Sequence, residues 1–376
     1  MPVSRLRQAL GRVGDVAMLG HRRYRTVPAA VLDGSELIQL GGGETVPCPG
    51  IGSMPIADVA RRSGLGSSSL ALPPARVHVL RGARIAPGTG IVTAGDRIVA
   101  ESLTVDMVDH VDVLHSELRA RPAELPGAVA LYRSPWRTYF HTVIDHLPRA
   151  ALLAQPAVRR LGPVTVVHDG PLTPIEQALL PQLLGPGVSL LQVEPGTGIV
   201  ADQVMLPGYV TRPWSGAIPS WYRRWIDREA ASERYRGDTS RARRRLYIDR
   251  TGVRRRVLNR PALDEVLDRH GIETVDPTAM SIEEQVSSFR DADLVIGVTG
   301  SGLVNTIFSR SAHVVELQTS VEMLPAFYYL AAAKGLPYDY VGAPPDQRGL
   351  STEERLHEDL LVDTQALDRL LGTISA

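Results

Sequence analysis

The chain has 376 residues, 44% hydrophobic and 22% charged, which supports packed cores and suits two domains better than one. Its 41 Lys and Arg balance its 41 Asp and Glu, so bulk charge gives no drive toward nucleic acid or an anionic membrane. A single cysteine, Cys48, excludes an intrachain disulfide and a cysteine-built zinc site, and sets a reducing, cytoplasmic compartment as the expectation.

Residues Met1 to Arg25 scatter Arg5, Arg7 and Arg12 among apolar residues without the apolar core of a signal peptide. No run approaches the ~20 apolar residues that span a bilayer, so membrane contact is at most peripheral, through a basic helix over Ser4 to Leu10. The first third then reads as β-rich. Short apolar runs at Val27 to Leu32, Glu36 to Leu40, Val77 to Leu80 and Gly90 to Val99 are separated by Gly, Pro and Asp turns. Gly41 to Gly43 and Gly64 to Ser69 read as loops, and Asp106 to Arg119 as a helix.

From Ala128 the rhythm becomes strand and helix in alternation. Strands are expected at Ala128 to Tyr132, Val164 to His168 and Val188 to Val193. Helices are expected over Trp136 to Gln155, broken near Pro148, and over Pro174 to Leu184. A helix over Tyr222 to Tyr235 falls inside the expected linker, Thr211 to Arg241. Beyond it, strands at Arg245 to Asp249, Ile272 to Asp276, Leu294 to Val298 and His313 to Gln318 alternate with helices. Pro261 to His270 starts on proline and stops before Gly271, and Ser281 with Glu284 forms a capping box for the helix to Ala292. A helix from Gly302 to Ser309 follows, and an amphipathic one closes the chain at Thr352 to Leu371. This order means a parallel sheet with helices on both faces. The domains so drawn are a β-rich segment 1–105 packing on the first lobe, lobes at 106–225 and 240–345, and a C-terminal helix at 352–372.

Four groups of residues carry candidate chemistry. Thr299, Gly300, Ser301, Gly302 and Asn305 follow an apolar strand and lead directly into a helix, where free N–H groups and the helix dipole can hold phosphate. A tight turn with glycines for packing explains the same segment equally well. Second, His141, Asp145 and Arg149 lie at i, i+4 and i+8, with Tyr139 beside them; His141 and Asp145 suit an acid–base pair, against the plainer reading of a helix ion-pair ladder. Third, Arg250, Arg254, Arg255 and Arg256 follow a strand end and suit a diphosphate, against the plainer reading of a solvated basic loop. Last, Glu316 ends a strand where a carboxylate can accept bonds from ribose hydroxyls.

In this order the segments resemble glycosyltransferase family 61, a capsular-polysaccharide-type family. The resemblance rests on Thr138 to Arg149, Tyr247-Ile248-Asp249-Arg250, Arg256-Val257-Leu258-Asn259-Arg260, Gly271 to Val275, Glu284-Gln285-Val286, Thr299 to Asn305 and Val314 to Leu317. Against the family pattern Thr138 replaces Asn, Thr142 Trp, Asp249 Ser, Arg260 Glu, and Thr299 the loop His. The resemblance implies two Rossmann-like lobes facing across a cleft, the GT-B arrangement. It also implies inverting transfer from a nucleotide sugar to an acceptor hydroxyl, with no cofactor and no essential metal, in polysaccharide, glycan or natural-product biosynthesis. On it, His141 or Asp145 is the base and the other orients it. Arg250, Arg256 and the Gly300 to Gly302 N–H groups hold the diphosphate, Glu316 the ribose and Asn305 the loop, while Arg149 and Tyr139 support the acceptor side. The expected partners are a nucleotide sugar, a hydroxyl acceptor and, without being required, a second copy in a homodimer; no nucleic acid is expected. Two other readings stand beside it: a nucleotide(-sugar)-binding protein without catalysis, and a nucleotide-sugar hydrolase or phosphoryl-transfer enzyme.

Overall fold

A computed structural model describes residues 18–19, 22–23, 25–51, 69–103, 117–212, 215–236, 244–249, 255–318, 325–342 and 359–375. The expected helices at Ser4 to Leu10 and Asp106 to Arg119 lie outside these residues, wholly and largely in turn, as does Arg250. The chain forms two compact units, the first Met1–Glu44 with Pro73–Pro213, the second Thr45–Leu72 with Trp214–Ala376. The excursion Thr45–Leu72 thus belongs to the second unit, although it lies in the segment expected to pack on the first lobe. No described helix is long and apolar enough to cross a membrane.

The first unit is built on one mixed sheet. Its strands include β1 (Arg76–Arg81), β2 (Ala123–Ala130), β3 (Val164–Asp169), β4 (Val188–Val193) and β5 (Ile199–Pro207). β4, β3, β2 and β5 run side by side and parallel, so their chain order across the sheet is 3-2-1-4. That is one mononucleotide-binding half of a doubly wound fold, with its switch point between β2 and β5. β1 closes the far side of β5 in antiparallel register, Pro207 facing Val77. The expected strand Val27 to Leu32 is instead a strand to Val27 followed, after Pro28, by a 3₁₀ turn at Ala29–Val31. β5, the longest of the described strands, was not anticipated. Its core packs Val129 and Leu131 against Val167, Val204 and Leu206, all fully buried.

The helical segment after β2 differs from the expected run. It opens as α1 (Tyr139–His141), widens into a π-helical turn over Thr142–His146, and continues as α2 (Leu147–Leu153). Pro148, at the start of α2, has no N–H to give the preceding turn, and the π-helical irregularity lies just before it. α3 (Pro174–Leu184) begins with a capping box between Thr173 and Glu176.

The second unit holds a wholly parallel sheet of β6 (Arg244–Ile248), β7 (Glu273–Val275), β8 (Ala292–Val298), β9 (His313–Leu317) and β10 (Tyr338–Val341). The sheet order is β7-β6-β8-β9-β10, which in chain order reads 2-1-3-4-5, with a switch point between β6 and β8. Its helices are α4 (Ser220–Ala230), α5 (Arg260–Arg269), α6 (Ile282–Arg290), α7 (Ala326–Lys334) and α8 (Thr364–Ser375). Tyr247, Ile296, Val315 and Leu317 face a core closed by Leu263 of α5 and Leu367 and Leu371 of α8. The expected α-helix after β8 is a 3₁₀ segment, Ser301–Phe308.

Candidate functional site

In the first unit the candidate acid–base pair forms at the carboxyl side of the sheet. His141 Nδ1 lies 2.7 Å from Asp145 Oδ2, each side chain 14% exposed. The other oxygen, Oδ1, accepts a 2.5 Å hydrogen bond from the Thr211 hydroxyl, just past the end of β5. A carboxylate only accepts, so Nδ1 carries the ring proton and Nε2 becomes the basic nitrogen of His141. The imidazole is flanked by Trp136 and Phe140, with ring centroids 6.1 and 5.2 Å away. The π turn carries Asp145, and such extra-residue turns recur where a helix must re-aim a functional side chain.

Around this pair sits a buried frame. Arg149 is 1% exposed; its Nε donates to Pro207 O at 3.1 Å and its Nη1 to Tyr132 O at 3.0 Å, tying together the ends of β5 and β2. Its guanidinium lies 4.0 Å from the Tyr209 ring centroid, and burial lowers its pKa. His146 is 1% exposed; its Nε2 accepts from Ser134 N at 3.1 Å, and burial, reinforced by Arg149, holds it well below the usual histidine range. Tyr139 is half-buried, and desolvation raises its hydroxyl pKa. Further along the same edge, Arg133 Nη2 meets Glu176 at 2.6 Å in a buried ion pair, and Arg133 Nη1 holds Asp169 O at 2.8 Å.

In the second unit the loops after β6 and β8 meet at the switch point. Arg255 adopts φ 66°, the one non-glycine residue in that region among those described, and its Nη1 donates to Thr299 O. From below, Glu316 on β9 accepts from Thr299 Oγ1 at 2.6 Å and from the Tyr338 hydroxyl at 2.5 Å. Burial pushes the Glu316 carboxyl up to about 7, against the pull of these donors and of Arg255. Asn305 Nδ2 donates to Gln285 Oε1 at 3.2 Å, and Gln285 Nε2 in turn donates to Pro277 O at 2.8 Å, which moors the 3₁₀ segment to α6.

Several expectations are corrected by these placements. Arg149 does not continue the His141 and Asp145 stripe to the surface; it is a buried staple of strand ends. Glu316 is 0% exposed, so a direct bond to a ribose is closed to it, and it supports Thr299 instead. Arg256 points away to Asp359, at 2.6 Å, so among the described residues of that arginine run it is Arg255 that reaches Thr299. A Cβ on Gly302 would come within 2.8 Å of Ile248 Cγ2, so that glycine serves packing of the turn against β6. The N-cap Gly300 and half-exposed Ser301 lead into 3₁₀ geometry, whose first N–H groups still point off the segment's start. Two departures from the family pattern answer each other, since Arg260 Nη1 pairs with Asp249 at 2.6 Å. Sequence reasoning missed Thr211, Arg255 as distinct from its neighbours, and Tyr338.

Residues 139–315 match the family model described as Glycosyltransferase 61. No curated protein sequence matches the chain. Among solved structures, the chain is similar to the bacterial iron-containing dodecameric glycosyltransferase TibC from enterotoxigenic E. coli H10407, at 11% identity and TM-score 0.35, over 68% of this chain and 77% of that one. A complex of the same dodecameric heptosyltransferase with ADP-D-beta-D-heptose gives 11% identity and TM-score 0.35, over 68% and 78%. Likeness at that level carries no functional weight. The matched segment includes His141, Asp145, Thr211, Arg255 and Thr299, so it is over residues 139–315 that the chain is similar to glycosyltransferase family 61.

Proposed function

We propose that the chain transfers a sugar from a nucleotide-sugar donor to an acceptor hydroxyl, with inversion at the anomeric carbon and without an essential metal. The observation that carries this reading is that both units place reactive side chains at the carboxyl ends of parallel strands, at their switch points, where open α/β sheets bind ligands. The first unit supplies the base and the second the nucleotide-diphosphate pocket, as in a GT-B enzyme of polysaccharide, glycan or natural-product synthesis working in the cytoplasm.

In this reading His141 Nε2 takes the acceptor proton as the acceptor oxygen bonds to the anomeric carbon. Asp145 holds the ring in the required tautomer and stabilises the imidazolium that forms. The bond from the anomeric carbon to the diphosphate breaks, and its electron pair leaves with the diphosphate oxygen. Arg255 and the N–H groups at the start of the 3₁₀ segment meet that growing charge, the task a metal performs elsewhere. Arg250, which follows Asp249 in sequence, is assigned to the same diphosphate in this reading.

Asp145→Asn tests the assignment, because an amide can turn its NH₂ toward His141 and reverse the tautomer. Its kcat should fall by about 10²-fold or more while nucleotide affinity stays within about twofold, by steady-state kinetics and calorimetry. An unchanged kcat would remove the His141 and Asp145 pair from the reaction.

A further inference from the structure

Asp145 shares its carboxylate between two partners that differ in origin. His141, on the same helical segment, takes Oδ2 at 2.7 Å, and Thr211, on the far side of the switch point, takes Oδ1 at 2.5 Å. The χ2 torsion of an aspartate joins sp³ to sp² carbon and is broad, so one contact to one oxygen does not fix the carboxylate plane. A second, directional donor on the opposite oxygen removes that freedom.

We infer that Thr211 is a positioning residue, the third member of a His141–Asp145–Thr211 relay, which orients the carboxylate and so holds His141 in the Nδ1–H tautomer with Nε2 basic. Its catalytic consequence rests on the transferase reading above; its effect on the tautomer does not. Thr211 is suited to the task. It is 2% exposed, so bulk water does not compete for the carboxylate oxygen. It also lies four residues beyond Pro207, the end of β5, where the Arg149 guanidinium anchors Pro207 O at 3.1 Å. The loop that carries the hydroxyl therefore starts from an anchored strand end.

Two substitutions separate the hydroxyl from the bulk of the side chain. Thr211→Val keeps the shape and removes the donor; Thr211→Ser keeps the donor and removes the methyl. The histidine rings of the full-length protein are read by ¹⁵N NMR, with His141 assigned by its loss in His141→Gln, and kcat and KM are measured in parallel. The wild type and Thr211→Ser should show His141 as the Nδ1–H tautomer, and Thr211→Val a mixture with Nε2–H. Thr211→Val should also lose about tenfold in kcat with donor KM nearly unchanged, and Thr211→Ser should recover most of that loss. A Thr211→Val protein with the wild-type tautomer would overturn the inference, as would equal loss of kcat in both variants. Should no transfer be found with any donor, the transferase reading fails while the tautomer shift still decides the role of Thr211.

Discussion

Glu316 is a carboxyl group with no exposed surface and a pKa raised to about 7, because burial outweighs the hydrogen bonds it accepts from Thr299 and Tyr338. A carboxyl whose folded pKa exceeds its unfolded one, 4.5, stabilises the fold fully below the unfolded value and loses that contribution as pH rises through the folded value. The window is therefore pH ~4.5 to ~7, and the contribution lost is on the order of 3 kcal/mol at most. Glu316→Gln mimics the protonated form. Relative to the wild type it should gain stability from pH 5 to about pH 7 and level off above that in urea titrations, and a constant difference across the whole range would show that Glu316 does not titrate there. Measuring the difference isolates Glu316 from His146, whose depressed pKa works in the opposite direction. At this scale the His141 and Asp145 pair was legible, since i, i+4 spacing on a helix brings two side chains together. Thr211 was not, because 66 residues separate it from Asp145 and only the sheet order joins them. Nor could a run of arginines tell that a left-handed backbone at Arg255 turns that side chain to Thr299 and its neighbour to Asp359.

Elements are locked to one another by charges taken out of water. Glu176 closes the capping box of α3 and accepts from Arg133 Nη2 at 2.6 Å, from Arg133 Nε at 2.9 Å and from the Tyr132 hydroxyl at 2.9 Å. Both charged side chains are nearly inaccessible, at 3% and 1%. Removing one member of such a pair leaves the other charge uncompensated, so Glu176→Gln should lose about 3–5 kcal/mol at neutral pH in a denaturant titration. A loss below about 1 kcal/mol would mean that Arg133 finds its compensation in the Asp169 and Pro171 carbonyls. The capping box of α6 and the proline-to-glycine limits of α5 were readable because they are local signals. β5 was missed because Asp202 and Gln203 interrupt its apolar run. α7 was missed because six of its nine residues are buried, so Ala326–Lys334 shows no polar face to mark a helical period. The break expected near Pro148 is present as the π turn over Thr142–His146, but nothing in the residues foretold its π geometry.

For the molecule as a whole, both units share one logic: parallel strands whose order reverses once, with candidate chemistry at the reversal. The alternation of strands and helices after residue 128 made the α/β class legible. The assignment of Thr45–Leu72 to the second unit was not, because it rests on non-local contacts such as the Tyr328 hydroxyl on Pro49 O at 2.5 Å. The central claim is a metal-independent nucleotide pocket at Arg255 and Thr299 with a separate base at His141. Calorimetric titration of nucleoside diphosphates into the full-length protein in EDTA tests it most directly, with wild type, Arg255→Ala and Asp145→Asn compared. Saturable binding of one nucleotide, weakened about tenfold or more in Arg255→Ala and retained in Asp145→Asn, is the expected result. Binding that vanishes with EDTA, or that is lost equally in both variants, would contradict it.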